Sequence, residues 1–160
     1  MHKTRNDLPL QSRDKVVKLL NARLAEAIDL RLQIYQAHWN VKGPNFIALH
    51  ELFDAIGGRV VAHIDTIAER AVALGGTANG TVQAVGKSSK LDAYPADLTD
   101  GKAHVEALSD ALAAYGKGIR KAIDEADDLK DADTADLFTG ISREVDKDLW
   151  FLEAHLQAAK

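Results

Sequence analysis

His50, Asp54, Asp65 and Glu69 are the residues whose types and spacing best suit chemistry. Carboxylates combined with imidazole bind iron, manganese or zinc, and a chain without thiolate favours the harder ions. On a helix turning about 100° per residue, Asp54, Asp65 and Glu69 lie about 40°, 60° and 100° round from His50. All four therefore share one stripe. The axial rise forbids a single ion from using both ends of it. His50 and Asp65 are ~22 Å apart along the axis, and Asp54 and Asp65 ~16 Å apart. The stripe reads as two half-sites. An antiparallel second copy, related by a two-fold axis near residues 59–60, sets His50 and Asp54 of one chain against Asp65 and Glu69 of the partner subunit.

Gly57 and Gly58 lie close to that midpoint. Glycine inside a helix costs ~1 kcal/mol relative to alanine, so the pair asks for a reason. Close approach of two helices at the axis is one, and a local kink is the other. His38 ends the preceding helix and is placed to add an imidazole to the His50/Asp54 half-site. Trp39 follows it, and an indole there could donate an electron to a stray oxidant. Ordinary di-iron bundles carry Glu-x-x-His motifs inside one chain, and no glutamate here has a histidine three residues later. The metal site is therefore between subunits or absent. A plainer reading also stands: carboxylates at i, i+4 usually form a wetted helix face.

These residues need long helices to position them. Val16, Leu19, Leu20, Leu24, Ala27, Ile28 and Leu32 keep one face apolar, which predicts helix A over about 12–39 with Ser12 as N-cap. Lys42-Gly43-Pro44 breaks it. Helix B is expected over about 45–74, stopped by Gly75-Gly76. Residues 75–99, with four glycines and Pro95, read as a long connection carrying one short helical turn. Val105, Leu108, Leu112, Tyr115, Ile119 and Ile123 mark helix C. Leu137, Ile141, Val145, Leu149, Leu152 and Leu156 mark helix D. No segment alternates with period two long enough to suggest a sheet. The expected fold is all-α: a ferritin-like four-helix bundle with a long B–C crossover. Residues 1–11 are expected to form a short polar tail and residues 12–160 the bundle domain.

Composition narrows the function classes. A chain of 160 residues, 46% of them apolar, suits one domain with a real core. With no cysteine, disulfides, thiolate metal sites and a cysteine nucleophile are excluded, which fits a reducing cytoplasm. The start has no apolar run like that of a signal peptide, and nothing approaches a membrane span. Residues 1–13 carry +2 of a total −4, so the rest carries −6. An acidic body repels nucleic acid, leaving DNA contact to the small basic tail of His2, Lys3 and Arg5. The acidic run Asp124, Glu125, Asp127, Asp128, Asp131, Asp133 and Asp136 reads as a solvated turn or as a funnel guiding cations through a pore. His63 lies about 220° round from His50, off the stripe, and is expected to be a packing residue. His104 and His155 have no carboxylate at ligand spacing and are read as structural or surface residues.

The segments His38 to Phe46 (HWNVKGPNF), Leu49 to Asp54 (LHELFD), Asp65 to Arg70 (DTIAER) and Asp146 to Glu153 (DKDLWFLE) together resemble the Dps family, the DNA-protection proteins of starved cells. The resemblance runs from about Thr4 to the C-terminus. It implies a hollow homododecamer with ferroxidase sites at two-fold interfaces. Iron would be held by positions matching His38, His50 and Asp54 of one subunit and Asp65 and Glu69 of the partner subunit. It further implies oxidation of Fe(II), preferentially with hydrogen peroxide, storage of a ferric mineral, and protection of DNA from hydroxyl radical. Two features depart from the family pattern. The tail is shorter and less lysine-rich than in DNA-binding members, and Gly57-Gly58 is not expected there. An architectural DNA binder with iron secondary is the alternative function, and a helical interaction module is a third.

Overall fold

The structure, a computed structural model, describes residues 1–157. Five helices follow in order: α1 (Leu10–Asn40), α2 (Phe46–Ala73), α3 (Val82–Ser88), α4 (Gly101–Asp128) and α5 (Ala132–Glu153). The four long ones are the expected helices A to D. The short α3 is the expected helical turn within the crossover.

α1 begins two residues earlier than its apparent cap. Pro9, at φ −54° and ψ 140°, occupies the N-cap position, and no side chain caps the helix. Ser12 therefore lies inside the first turn. Proline's fixed φ and the Arg13 N–H bond to the Pro9 carbonyl (3.0 Å) start the helix before the serine is reached. The stop after α2 is as the glycines suggest. Gly75 takes φ +85°, and Gly75 and Gly76 donate to the Val72 and Ala71 carbonyls, a left-handed helix end that glycine adopts without steric cost.

α1 and α2 form one antiparallel hairpin, and α4 and α5 form the other. The crossover joining them can be tracked along α1. Asn21 bonds to Thr77 and Asn79, Asp29 to Ser89, and Gln33 to the Asp92 carbonyl. The crossover ends where the Lys42 N–H donates to the Thr99 carbonyl. It thus returns from the end of α2 to its beginning, so α2 and α4 run parallel. This is the task that required so long a connection.

The core is the inward stripe of all four long helices. Leu20, Leu24, Leu30 and Ile34 of α1 meet Phe53, Ile56, Val60 and Ile67 of α2. Leu108, Leu112, Tyr115 and Ile119 of α4 meet Phe138, Ile141, Val145 and Leu152 of α5. The periodicity of α4 predicts its buried face well. On α5 the face is turned slightly: Phe138 and Asp148 are fully buried, whereas Leu137 and Leu149 are only partly so.

The N-terminal segment is held down. The His2 N–H donates to the Gly75 carbonyl at 2.6 Å, and Arg13 clamps the Leu8 and Leu74 carbonyls. No helix among the described residues is long and apolar enough to cross a membrane.

Candidate metal centre

His38 sits in the last turn of α1 and His50 in the second turn of α2, joined by the tight turn at Gly43 (φ +108°). The hairpin brings their rings face to face, with centroids 3.7 Å apart and planes inclined by 20°. Each ring bonds to the other residue's backbone. His38 Nδ1 lies 2.9 Å from the His50 carbonyl, and His50 Nδ1 lies 2.8 Å from the His38 carbonyl. A carbonyl can only accept, so both Nδ1 atoms must carry the proton. In the neutral ring each Nε2 then carries the free lone pair, the form of imidazole that binds a metal. A backbone carbonyl on the remote ring N–H is also the usual way a ligating histidine is oriented.

The carboxylates lie on the outward face of α2. Asp54, Asp65 and Glu69 are all exposed, and none forms an ion pair with a cation among the described residues. The same face exposes Ile47, Val61 and Val72 (61%, 47% and 56%). Among the described residues of one chain, no three His, Asp or Glu side chains converge on a point that could hold a metal. The structure thus brings His38 to His50 and leaves Asp65 and Glu69 farther along the helix.

The two central glycines have different reasons. Gly57 is buried against α1, and a Cβ there would lie 1.6 Å from Arg31 Nη1. Its need arises within the chain, in place of the two-fold contact or kink expected for the pair. Gly58 faces outward with nothing within 4 Å, so it remains open to close approach by another helix.

Trp39 is 67% exposed and stacks on Tyr35 at 5.1 Å, while the Arg31 guanidinium carbon lies 3.4 Å from the Tyr35 ring centroid. The sequence reading did not single out Arg31 or Tyr35. Their positions four and seven residues before Trp39 and His38 were the available signal.

His63 and His104 are structural. His63 is buried and meets Glu144 of α5 at 2.8 Å. His104 is buried, its Nδ1 hydrogen-bonds the Tyr94 hydroxyl (2.6 Å), and burial lowers its proton affinity. His155 is exposed. In the acidic run, Asp131 is a buried cap: it accepts from the Thr134 N–H and pairs with Arg70 at 2.6 Å, so it cannot line a solvent funnel. Asp124, Asp127, Asp128 and Asp136 are exposed.

Residues 17–160 match the family model described as a ferritin-like domain. A DNA protection during starvation protein of Agrobacterium fabrum is 53% identical over 156 residues, covering 98% of this chain and 96% of the relative. One from Mycolicibacterium smegmatis is 36% identical over 144 residues, covering 90% of this chain and 78% of that protein. The solved tetragonal form of Mycobacterium smegmatis Dps superposes with a TM-score of 0.94 at 34% identity, covering 99% of this chain and 96% of the other. Fold, sequence and the motifs around His38, His50 and Asp65 agree: this chain belongs to the Dps family of ferritin-like proteins.

Proposed function

We propose that this protein oxidises Fe(II) with hydrogen peroxide at sites shared between two subunits, and stores the ferric product inside a hollow homododecamer. The observation that carries this reading is the reciprocal pair of ring-to-carbonyl bonds between His38 and His50. Each ring gives its Nδ1–H to a backbone carbonyl, which turns the Nε2 edge of the neutral ring to a ligand beside the exposed Asp54. Three exposed carboxylates without cationic partners among the described residues, set among exposed apolar residues on one helix face, complete the pattern of a surface that awaits a second copy.

In the antiparallel pairing about residues 59–60, His38, His50 and Asp54 meet Asp65 and Glu69 of the partner subunit, and symmetry makes two such sites per dimer. The imidazoles and carboxylates bind Fe(II), the substrate. Hydrogen peroxide takes two electrons, one from each of two Fe(II), its O–O bond breaks, and two protons complete two waters. Glu69 is a candidate bridge between the two irons. Removing Fe(II) and peroxide together denies both reactants to hydroxyl-radical formation, which is how such a protein protects DNA. The exposed aspartates near the α4–α5 turn are candidates for guiding cations inward. Nothing favours the architectural reading: Lys3 and Arg5 sit on a short segment that is tied to the end of α2 through His2 and Gly75.

The test is rapid mixing of the assembled protein with Fe(II) and peroxide, following the ferric absorbance. Asp65→Ala with Glu69→Ala is expected to abolish the rapid phase while leaving assembly intact. Unchanged kinetics in the assembled double variant would contradict the proposal.

A further inference from the structure

Arg31 is 8% exposed, yet it has no counter-ion among the described residues. Its Nε and Nη1 are buried without hydrogen-bond partners. Arg13, the other buried arginine, bonds two backbone carbonyls and so is satisfied within the chain. A buried unpaired guanidinium is costly. α2 incurs a second cost to admit it, because Gly57 cannot carry a Cβ and an interior glycine weakens a helix. The Tyr35 ring under the guanidinium holds its position but neutralises nothing.

Its place in the fold says where a counter-charge would come from. His38 stacks on His50, and stepping seven residues back along α1 and seven on along α2 brings Arg31 against Gly57. Gly57 borders the stripe that carries Asp54 and Asp65. In the pairing about residues 59–60, Asp65 of the partner subunit stands level with Asp54, ~4.5 Å along the axis from Gly57. It is the carboxylate that this pairing brings nearest to Arg31. A carboxylate that gives one oxygen to a metal has the other free for a donor, and such outer contacts fix the ligand's orientation.

We infer that Arg31 is a positioning residue of the shared metal site: Nη2, the one nitrogen of its guanidinium not shut in within the chain, holds Asp65 of the partner subunit by the carboxylate oxygen not used for iron. The inference rests on the shared-site reading of the preceding subsection. It accounts together for the unpaired buried cation, the glycine opposite it, and the lack of any cation beside Asp65 among the described residues of its own chain.

Co(II), which binds without turnover and reports its coordination by visible absorbance, tests this in the assembled protein. Arg31→Gln is expected to weaken Co(II) binding about 10- to 100-fold with the assembly unchanged by light scattering, and Arg31→Lys is expected to fall between. Gly57→Ala keeps the charge but displaces the guanidinium, and is expected to weaken binding likewise. Unchanged Co(II) affinity in an assembled Arg31→Gln or Gly57→Ala variant overturns the inference. So does loss of assembly in both, which assigns Arg31 to the scaffold. Asp65→Ala with Glu69→Ala separates the two levels. If that variant keeps Co(II) affinity, the shared site itself fails. If it loses affinity and Arg31→Gln does not, only the role of Arg31 fails.

Discussion

α2 carries charge on two faces, and the two are treated in opposite ways. Toward α5, every charged group finds a partner within the chain. Arg59 bonds Asp148 through two oxygens, His63 meets Glu144, and Arg70 joins Asp131 and Thr134. Toward the outside, Asp54, Asp65 and Glu69 stand exposed with no cation, and Arg31 beside them is buried with no anion, among the described residues. The inner seam is finished by folding. The outer face is left unfinished by folding, as the proposed shared site requires. Substitutions on the seam should therefore cost stability, and substitutions on the outer face should cost function.

The largest contrast is expected between the carboxylate pair and Arg59. Asp65→Ala with Glu69→Ala should lose metal binding by more than the ~100-fold of an outer-shell change. Its chemical unfolding should stay within ~0.5 kcal/mol of the parent, as for an ordinary surface change. Arg59→Ala should do the reverse. Asp148 is 1% exposed at its side chain, and burial already pushes its carboxyl pKa up against the pull of Arg59. Removing Arg59 strands that group. A broken buried pair costs ~3–5 kcal/mol, and because Arg59 is itself 35% exposed, solvent screening should bring the loss to the bottom of that range or below it, about 2–3 kcal/mol. Co(II) affinity should be retained. A stable Arg59→Ala protein with a damaged metal site would break the division between the faces.

Gly58→Ala sharpens the same comparison at smaller scale. Within the chain its Cβ meets nothing, and helix propensity predicts a gain of ~1 kcal/mol. If another helix approaches there, assembly should weaken despite that gain, which dilution followed by light scattering would reveal. Assembly unchanged at every dilution would remove Gly58 from the contact.

The smallest effect is expected at His104. Burial lowers its pKa below the usual 6.5, so the unfolded chain binds a proton that the folded chain refuses. This contribution to stability is complete above pH 6.5 and is lost as pH falls through the lowered folded value. His104→Gln should flatten that acid dependence in denaturant titrations between neutral and mildly acidic pH. A slope identical to the parent's would show that the group does not titrate differently on folding.

The sequence made the outer face legible and left the seam hidden, for a physical reason. His50, Asp54, Asp65 and Glu69 share one helix, so regular helical geometry alone placed them on one stripe and showed that one ion could not reach all four. The crossover length likewise implied parallel α2 and α4. The Arg59–Asp148 pair joins residues 89 apart, and His104–Tyr94 joins a helix to an irregular segment. Neither follows from any periodicity. Gly57 stands out in the sequence as a helix-interior glycine, but the constraint on it within the chain is an arginine on another helix, which no periodicity reveals. Ser12 misled because capping preference is local, and Pro9 had already started the helix. Asp131 looked like its acidic neighbours until Arg70, 61 residues away, was found beside it.

Subunit mixing tests the central claim most directly. One variant carries His38→Ala and His50→Ala, and the other carries Asp65→Ala and Glu69→Ala; each alone should lack the rapid phase of iron oxidation. Dissociated, mixed in equal amounts and reassembled, they should regain about a quarter of the parent's rapid phase. Half the dimers are then mixed, and each mixed dimer rebuilds one of its two sites. A reassembled mixture that stays as inactive as its parents would contradict a site built from two chains.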